Sequence, residues 1–336
     1  MRPRGDPSAN AMGDRTRRDW RPDAGSCKAD GFSEDDPMAD ATLPRNEDSP
    51  RGMAFALSAY LIWGFLPVYM KALSHIPAYE VVAHRVIWSV PVALAVLVAL
   101  GRTQDLRAAL RSPRMLLMAA ATAALISVNW GIYVWAIGAG HALDTALGYY
   151  INPLFSVFLG AVLLGERLNR LQLAAIVLAV AAVIVLTVEA GRLPIVAISL
   201  MLTWGCYAYL KKSLPIGPNQ GFLLEVLLLL PPALGVLIWV EGSGQGHFLH
   251  GSLADQALLL GTGVVTAVPL MLYANGAKLL KLSTIGFLQY VAPTLIFLTA
   301  VFVFGEPFGR AEAIAFPMIW VALVIFTVAL VRATRR

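Results

Sequence analysis

From residue 53 to residue 332 the chain passes through ten apolar stretches, roughly 53–74, 80–100, 115–138, 143–164, 171–190, 194–212, 221–241, 256–279, 284–304 and 313–332. A helix of about twenty residues rises ~30 Å, the thickness of the hydrocarbon layer of a bilayer. No water is available there to satisfy peptide groups, so each stretch must be helical. The expected fold class is therefore an all-α polytopic membrane protein with ten transmembrane helices. Soluble domains carry about a quarter charged residues; this chain has 14% charged and 58% hydrophobic residues, which excludes a large soluble core.

What charge there is sits at the ends of the stretches. Arg102, Arg107, Arg111, Arg114, Arg167, Arg170, Lys211, Lys212, Lys278, Lys281, Arg332, Arg335 and Arg336 fall on one side, against Lys71, Arg192 and Arg310 on the other. Basic loops stay in the cytoplasm, so both termini are predicted cytoplasmic, in a multi-pass protein of the inner membrane. The net charge of +5 is used by this bias and gives no sign of a nucleic-acid partner. Residues 1–51 hold nine Lys/Arg and eleven Asp/Glu with no apolar run, the composition of a disordered cytoplasmic tail. Met38 and Met53 are in frame and Met53 opens the first stretch, so much of this tail is expected to be dispensable or a start-site artefact.

The chain repeats itself. An offset of 141 lays Ser58 on Ser199, Trp63-Gly64 on Trp204-Gly205, Lys71 on Lys212 and Pro91 on Pro232. An offset of 140 lays Tyr133 on Tyr273, Tyr150 on Tyr290, Pro153 on Pro293 and Gly165-Glu166 on Gly305-Glu306, with Arg170 and Arg310 following. Two units of five stretches are expected, at 52–191 and 192–332. An odd number of crossings makes the second enter from the opposite face, the inverted repeat of many secondary transporters, with the substrate at mid-depth between the halves.

Proline inside an apolar helix removes an N–H and frees a carbonyl, which lipid tolerates only where the helix faces protein or a cavity. Pro153 and Pro293 are thus expected helix kinks. Their neighbours Tyr149, Tyr150 and Asn152, and Gln289, Tyr290 and Thr294, are pointers to a binding site. Trp63 and Trp204 fall mid-stretch rather than at the interface Trp prefers, either lining a cavity or filling the packing. Asn129, Trp130 and Tyr133 form a polar-aromatic stripe that reads as cavity wall or as interhelical glue; Tyr273 is the repeat partner of Tyr133.

Arg85 lies one turn into the second stretch. A charge at membrane depth costs about 2.5–3.5 kcal/mol on insertion scales and marks a pathway, unless the side chain snorkels outward. His84 beside it either carries a proton in a coupling cycle or is a hydrogen-bonded interior histidine. Glu225, at the repeat position of His84, either takes part in coupling or caps a helix end near water. Gly148, Gly160, Gly261 and Gly263 suit close helix approach. Asp144 reads as a first-turn helix residue beside His141. No phosphate-binding glycine loop, metal cluster or Ser/His/Asp grouping is read from the sequence, so no cofactor, metal or catalytic residue is expected.

AYLIWGFLPVYMK (59–71), AHRVIWS (83–89), NWGIYVWAI (129–137), LGYYINPL (147–154) with LGERL (164–168), TIGFLQYVAPT (284–294) with FGEP (304–307), and IWVAL (319–323) together resemble the RarD proteins, in the EamA-type branch of the drug/metabolite transporter superfamily. The resemblance spans everything outside the tail and departs at the tail, Tyr150, Trp204 and Asn275. It implies a ten-helix inner-membrane permease, historically labelled chloramphenicol-sensitive, and by family an exporter. The expected function is secondary transport of a small amphiphilic or aromatic metabolite or drug, without a nucleotide-driven module and not an enzyme. The rival is an intramembrane enzyme acting on a lipid-linked substrate. Expected partners are the solute and membrane lipid; the sequence leaves monomer and homodimer open.

Overall fold

A computed structural model describes residues 49–101, 106, 110–164, 168–212, 214–277, 279–280 and 282–334. The tail through residue 48, with Cys27, lies outside the described residues, as do Gly165, Glu166 and the basic positions Arg102, Arg107, Arg167, Lys278, Lys281, Arg335 and Arg336. The described chain is all-helical: α1 (Pro50–Ala72), α2 (Ala78–Ala99), α3 (Pro113–Gly138), α4 (Ala142–Leu164), α5 (Arg170–Ala190), α6 (Ile195–Lys212), α7 (Pro218–Gly242), α8 (Leu253–Ala277), α9 (Leu282–Leu288), α10 (Val291–Leu298) and α11 (Arg310–Thr334). Among the described residues eight helices, α1–α5, α7, α8 and α11, are long and apolar enough to cross a membrane. Ile195–Lys211 and Val291–Val303 are shorter apolar helices.

Local chemistry starts several of these helices. Ser49 and Ser112 accept from the N–H of Gly52 and Met115 ahead of Pro50 and Pro113, each at a first helical position that needs no donor. Asn169 and Gln172 form a reciprocal capping box at α5, which Gly191 closes in the left-handed region at φ 65°.

The ninth apolar stretch departs from the single span expected of it. It divides into α9 and α10, then a π-helical turn over Thr299–Val303. The ring of Pro293 crowds the carbonyl four residues back, that of Gln289, and the helix is interrupted at Gln289–Tyr290. Pro153 behaves differently and lies within the continuous α4.

The helix pairings come in matched sets. α1 packs on α8 and α10 as α6 packs on α3 and α4; α2 packs on α8 as α7 packs on α3. The pairs α2–α7, α4–α10 and α5–α11 complete the bundle. Small residues let these helices touch: a Cβ on Gly148 of α4 would stand 2.7 Å from the Ala197 carbonyl oxygen of α6. Gly263 of α8 meets the backbone of Trp88 as closely, and Gly261 faces the Tyr69 hydroxyl.

The outward faces are apolar. Phe302, Leu117, Val188 and Ile238 are 71–76% exposed. So many large exposed apolar side chains would be costly in water, and they suit contact with lipid. The molecule is a multi-pass membrane protein.

Candidate functional site

A cavity of about 140 Å³ is lined from α1, α2, α3, α4, α6, α8 and α10 and from Gln289 in the α9–α10 break. Aromatic rings make its wall. Trp63 of α1 and Trp204 of α6 meet edge to face with ring centres 6.3 Å apart. Tyr273 lies 5.6 Å from Trp63, and Tyr149 lies 6.2 Å from Trp204. Tyr133 sits 6.0 Å from Tyr149. Edge-to-face geometry sets the positive rim of one ring against the negative face of the next.

Polar groups are few and individually placed. Asn129 is buried, donates to Leu200 O at 3.3 Å and Thr203 Oγ1 at 2.9 Å, and accepts from the Tyr149 hydroxyl at 3.3 Å. Arg85 is 3% exposed, so it does not snorkel to an end of the bundle. Its Nε donates to Thr266 Oγ1 at 3.0 Å and its guanidinium lies 4.8 Å over the Trp130 ring. Among the described residues its Nη1, the Tyr133 hydroxyl and Asn152 Oδ1 are buried without a partner.

Nine of the ten residues singled out as substrate-binding therefore lie on one cavity: Trp63, Arg85, Asn129, Trp130, Tyr149, Asn152, Trp204, Tyr273 and Gln289. Tyr290 does not line it. Tyr290 packs instead against the main apolar core, because consecutive residues at the helix break point to different sides. Tyr150 is also turned away and bonds Thr294 Oγ1 at 2.8 Å, tying α4 to α10. Tyr60, one turn before Trp63 on the same face, lines the cavity and was missed; its i, i+3 spacing from Trp63 was the available signal.

Of the candidates for gating or coupling, Arg85, His84 and Glu225, the first lines the cavity and the other two lie elsewhere. His84 is fully buried, accepts from Trp88 Nε1 at 3.0 Å through Nδ1, and stacks near Phe248, away from the cavity. Glu225 does not cap a helix end: it is buried one to two turns into α7, with Lys211 Nζ at 2.7 Å and the Tyr207 hydroxyl at 3.3 Å. That ion pair joins α6 to α7.

The Gly-Glu-Arg pattern proves to be a connector. Gly305 turns at φ 66°, Arg310 opens α11, and both Glu306 oxygens accept from the first N–H groups of α4, Ala142 at 2.8 Å and Leu143 at 2.7 Å. Arg170 likewise opens α5. Asp144 faces His141 at 3.2 Å in the first turn of α4.

Although no metal cluster was read from the sequence, the fold brings Glu80, His84 and Glu241 within 4.8 Å of one another. The carboxylates hold the α7–α8 loop. Glu80 accepts from the His247 N–H at 2.7 Å and faces its Nδ1 at 2.9 Å, while Glu241 accepts from Phe248 and Leu249 N–H at 3.2 Å.

Residues 50–188 match the model of the EamA-like transporter family. The chain is 38% identical to the protein RarD of Escherichia coli strain K12, over 85% of this chain and 97% of that one. The chain belongs to the RarD family. An uncharacterized transporter of Vibrio cholerae is 44% identical to this RarD-family chain, over 85% of its length and 94% of the relative. A solved crystal structure shares the fold, with a TM-score of 0.52 at 20% identity, covering 84% of this chain and 98% of that one.

Proposed function

We propose that the chain is a secondary permease for a small flat or amphiphilic organic solute, an exporter that alternates access to the central cavity. The observation that carries this is the cavity itself, a ring-walled chamber with a few convergent polar groups between membrane-crossing helices. A cavity of ~150 Å³ takes a benzene ring, so about one ring fits the chamber as it stands. The matched helix pairings support two five-helix units of opposite sense, 52–191 and 192–332, with α9 and α10 together serving as one crossing. Rocking of one unit against the other would expose the cavity to each face in turn. The basic-loop bias supports cytoplasmic termini, and the names of the relatives as transporters support the activity.

Reconstitution in liposomes tests the reading. Loading with a metabolite pool, with and without a pH gradient, should show protein-dependent movement of at least one flat organic solute. No movement of any component would overturn the permease reading.

A further inference from the structure

Among the described residues Arg85 is the one cation in the cavity wall, and none of them supplies its countercharge. Among the described residues every carboxylate is engaged elsewhere. Glu80 and Glu241 hold the α7–α8 loop, Glu225 pairs with Lys211, and Glu306 caps α4. Asp144 faces His141, Asp255 faces His75 and Ser252, Glu189 faces Arg310, and Glu312 accepts from Gly309. A buried cation without a countercharge carries an uncompensated desolvation penalty. Thr266 and the Trp130 face satisfy only one side of the guanidinium and leave Nη1 open.

We infer that the solute is a flat organic anion, of the aromatic carboxylic acid class, whose acid group rests on Arg85 and whose ring lies among the cavity aromatics. The inference rests on the permease reading and deepens it. Arginine presents a planar fork of donors that matches a carboxylate. Tyr133 supplies a second donor from the same wall, its hydroxyl also buried without a partner. A neutral isostere such as the amide has the same shape and ring but leaves the guanidinium uncompensated. A cationic analogue adds like-charge repulsion in a low dielectric.

The test compares acids with their amides on the full chain purified in detergent. Tryptophan fluorescence reports occupancy, since Trp63, Trp130 and Trp204 line the cavity. The probes are benzoate against benzamide and nicotinate against nicotinamide, at neutral pH. At least tenfold tighter binding of the acid of each pair is expected. The ratio should fall to near one in Arg85→Gln and be partly retained in Arg85→Lys. The wild-type comparison needs no variant, so it stands even if Arg85→Gln fails to fold.

Equal binding of acids and amides would overturn the inference. So would chloride or formate binding as well as the flat acids, which would assign Arg85 to a small free anion, and so would absence of binding in both series. The same pairs in proteoliposomes separate the two readings: amides moving as fast as acids overturn the charge assignment and leave the permease standing, whereas no movement of any solute overturns both.

Discussion

Trp63 and Trp204, 141 residues apart along the chain, meet edge to face on the wall of the cavity. Their contact makes them one wall rather than two. Trp63→Ala and Trp204→Ala should each weaken solute binding by about tenfold, and the double variant should depart from additivity by ~0.5–1.5 kcal/mol. A double-mutant cycle on binding affinity measures this; strict additivity would mean the rings act independently.

Glu306 caps α4 from a distant part of the chain, accepting from both Ala142 and Leu143. Glu306→Ala should destabilise the protein by about 1–2 kcal/mol, the scale of losing an N-cap, read as a lower Tm in detergent. An offset of 140 in the sequence lays Glu166 on Glu306, and a similar loss is expected for Glu166→Ala. A large effect at one position and none at the other would break the equivalence.

Lys211 and Glu225 are a buried pair at 2.7 Å. Removing one partner leaves an uncompensated charge, so Lys211→Met or Glu225→Leu should each cost roughly 3–5 kcal/mol. The double variant, which removes both charges, should be milder than either single change. Denaturant or thermal unfolding of all three variants checks the order.

Gln289 and Tyr290 separate by function. Gln289→Ala, on the cavity, should change solute affinity with little change in Tm; Tyr290→Ala, partly buried against the core, should destabilise the protein by about 2–3 kcal/mol, somewhat less than a full core truncation, read as a lower Tm. An affinity defect in Tyr290→Ala at unchanged stability would return that residue to the site.

Gly148 carries a contact between α4 and the α6 backbone at Ala197. Gly148→Val should cost about 1–3 kcal/mol by forcing the helices apart, whereas substitution at Gly131, whose added Cβ meets nothing within 4 Å, should be nearly silent. Paired Tm measurements decide.

The sequence revealed the helices because lipid forbids any other way of satisfying the backbone, and it revealed most of the cavity because polar and aromatic residues mid-stretch have few other uses. Trp63, Asn129 and Trp204 were legible for that reason. What stayed hidden depends on how each helix is rotated about its axis. Helices apolar on every side leave that rotation unmarked, so the turn of Tyr290 into the core and the meeting of Lys211 with Glu225 had no signature. The Glu306 cap joins residues 164 and 163 apart along the chain. The repeat flagged Glu306, and only the fold showed what it holds.

Among the described residues no carboxylate stands beside Arg85, and that bears on voltage. On the proposed anion cycle the emptied chamber would carry one positive charge and the loaded chamber none. A membrane potential exerts ~2.3 kcal/mol per charge per 100 mV of field crossed, so it would act on the vacant state and spare the occupied one. Were the cycle to run outward as proposed, an interior-negative potential would favour the return of the vacant chamber toward the cytoplasm.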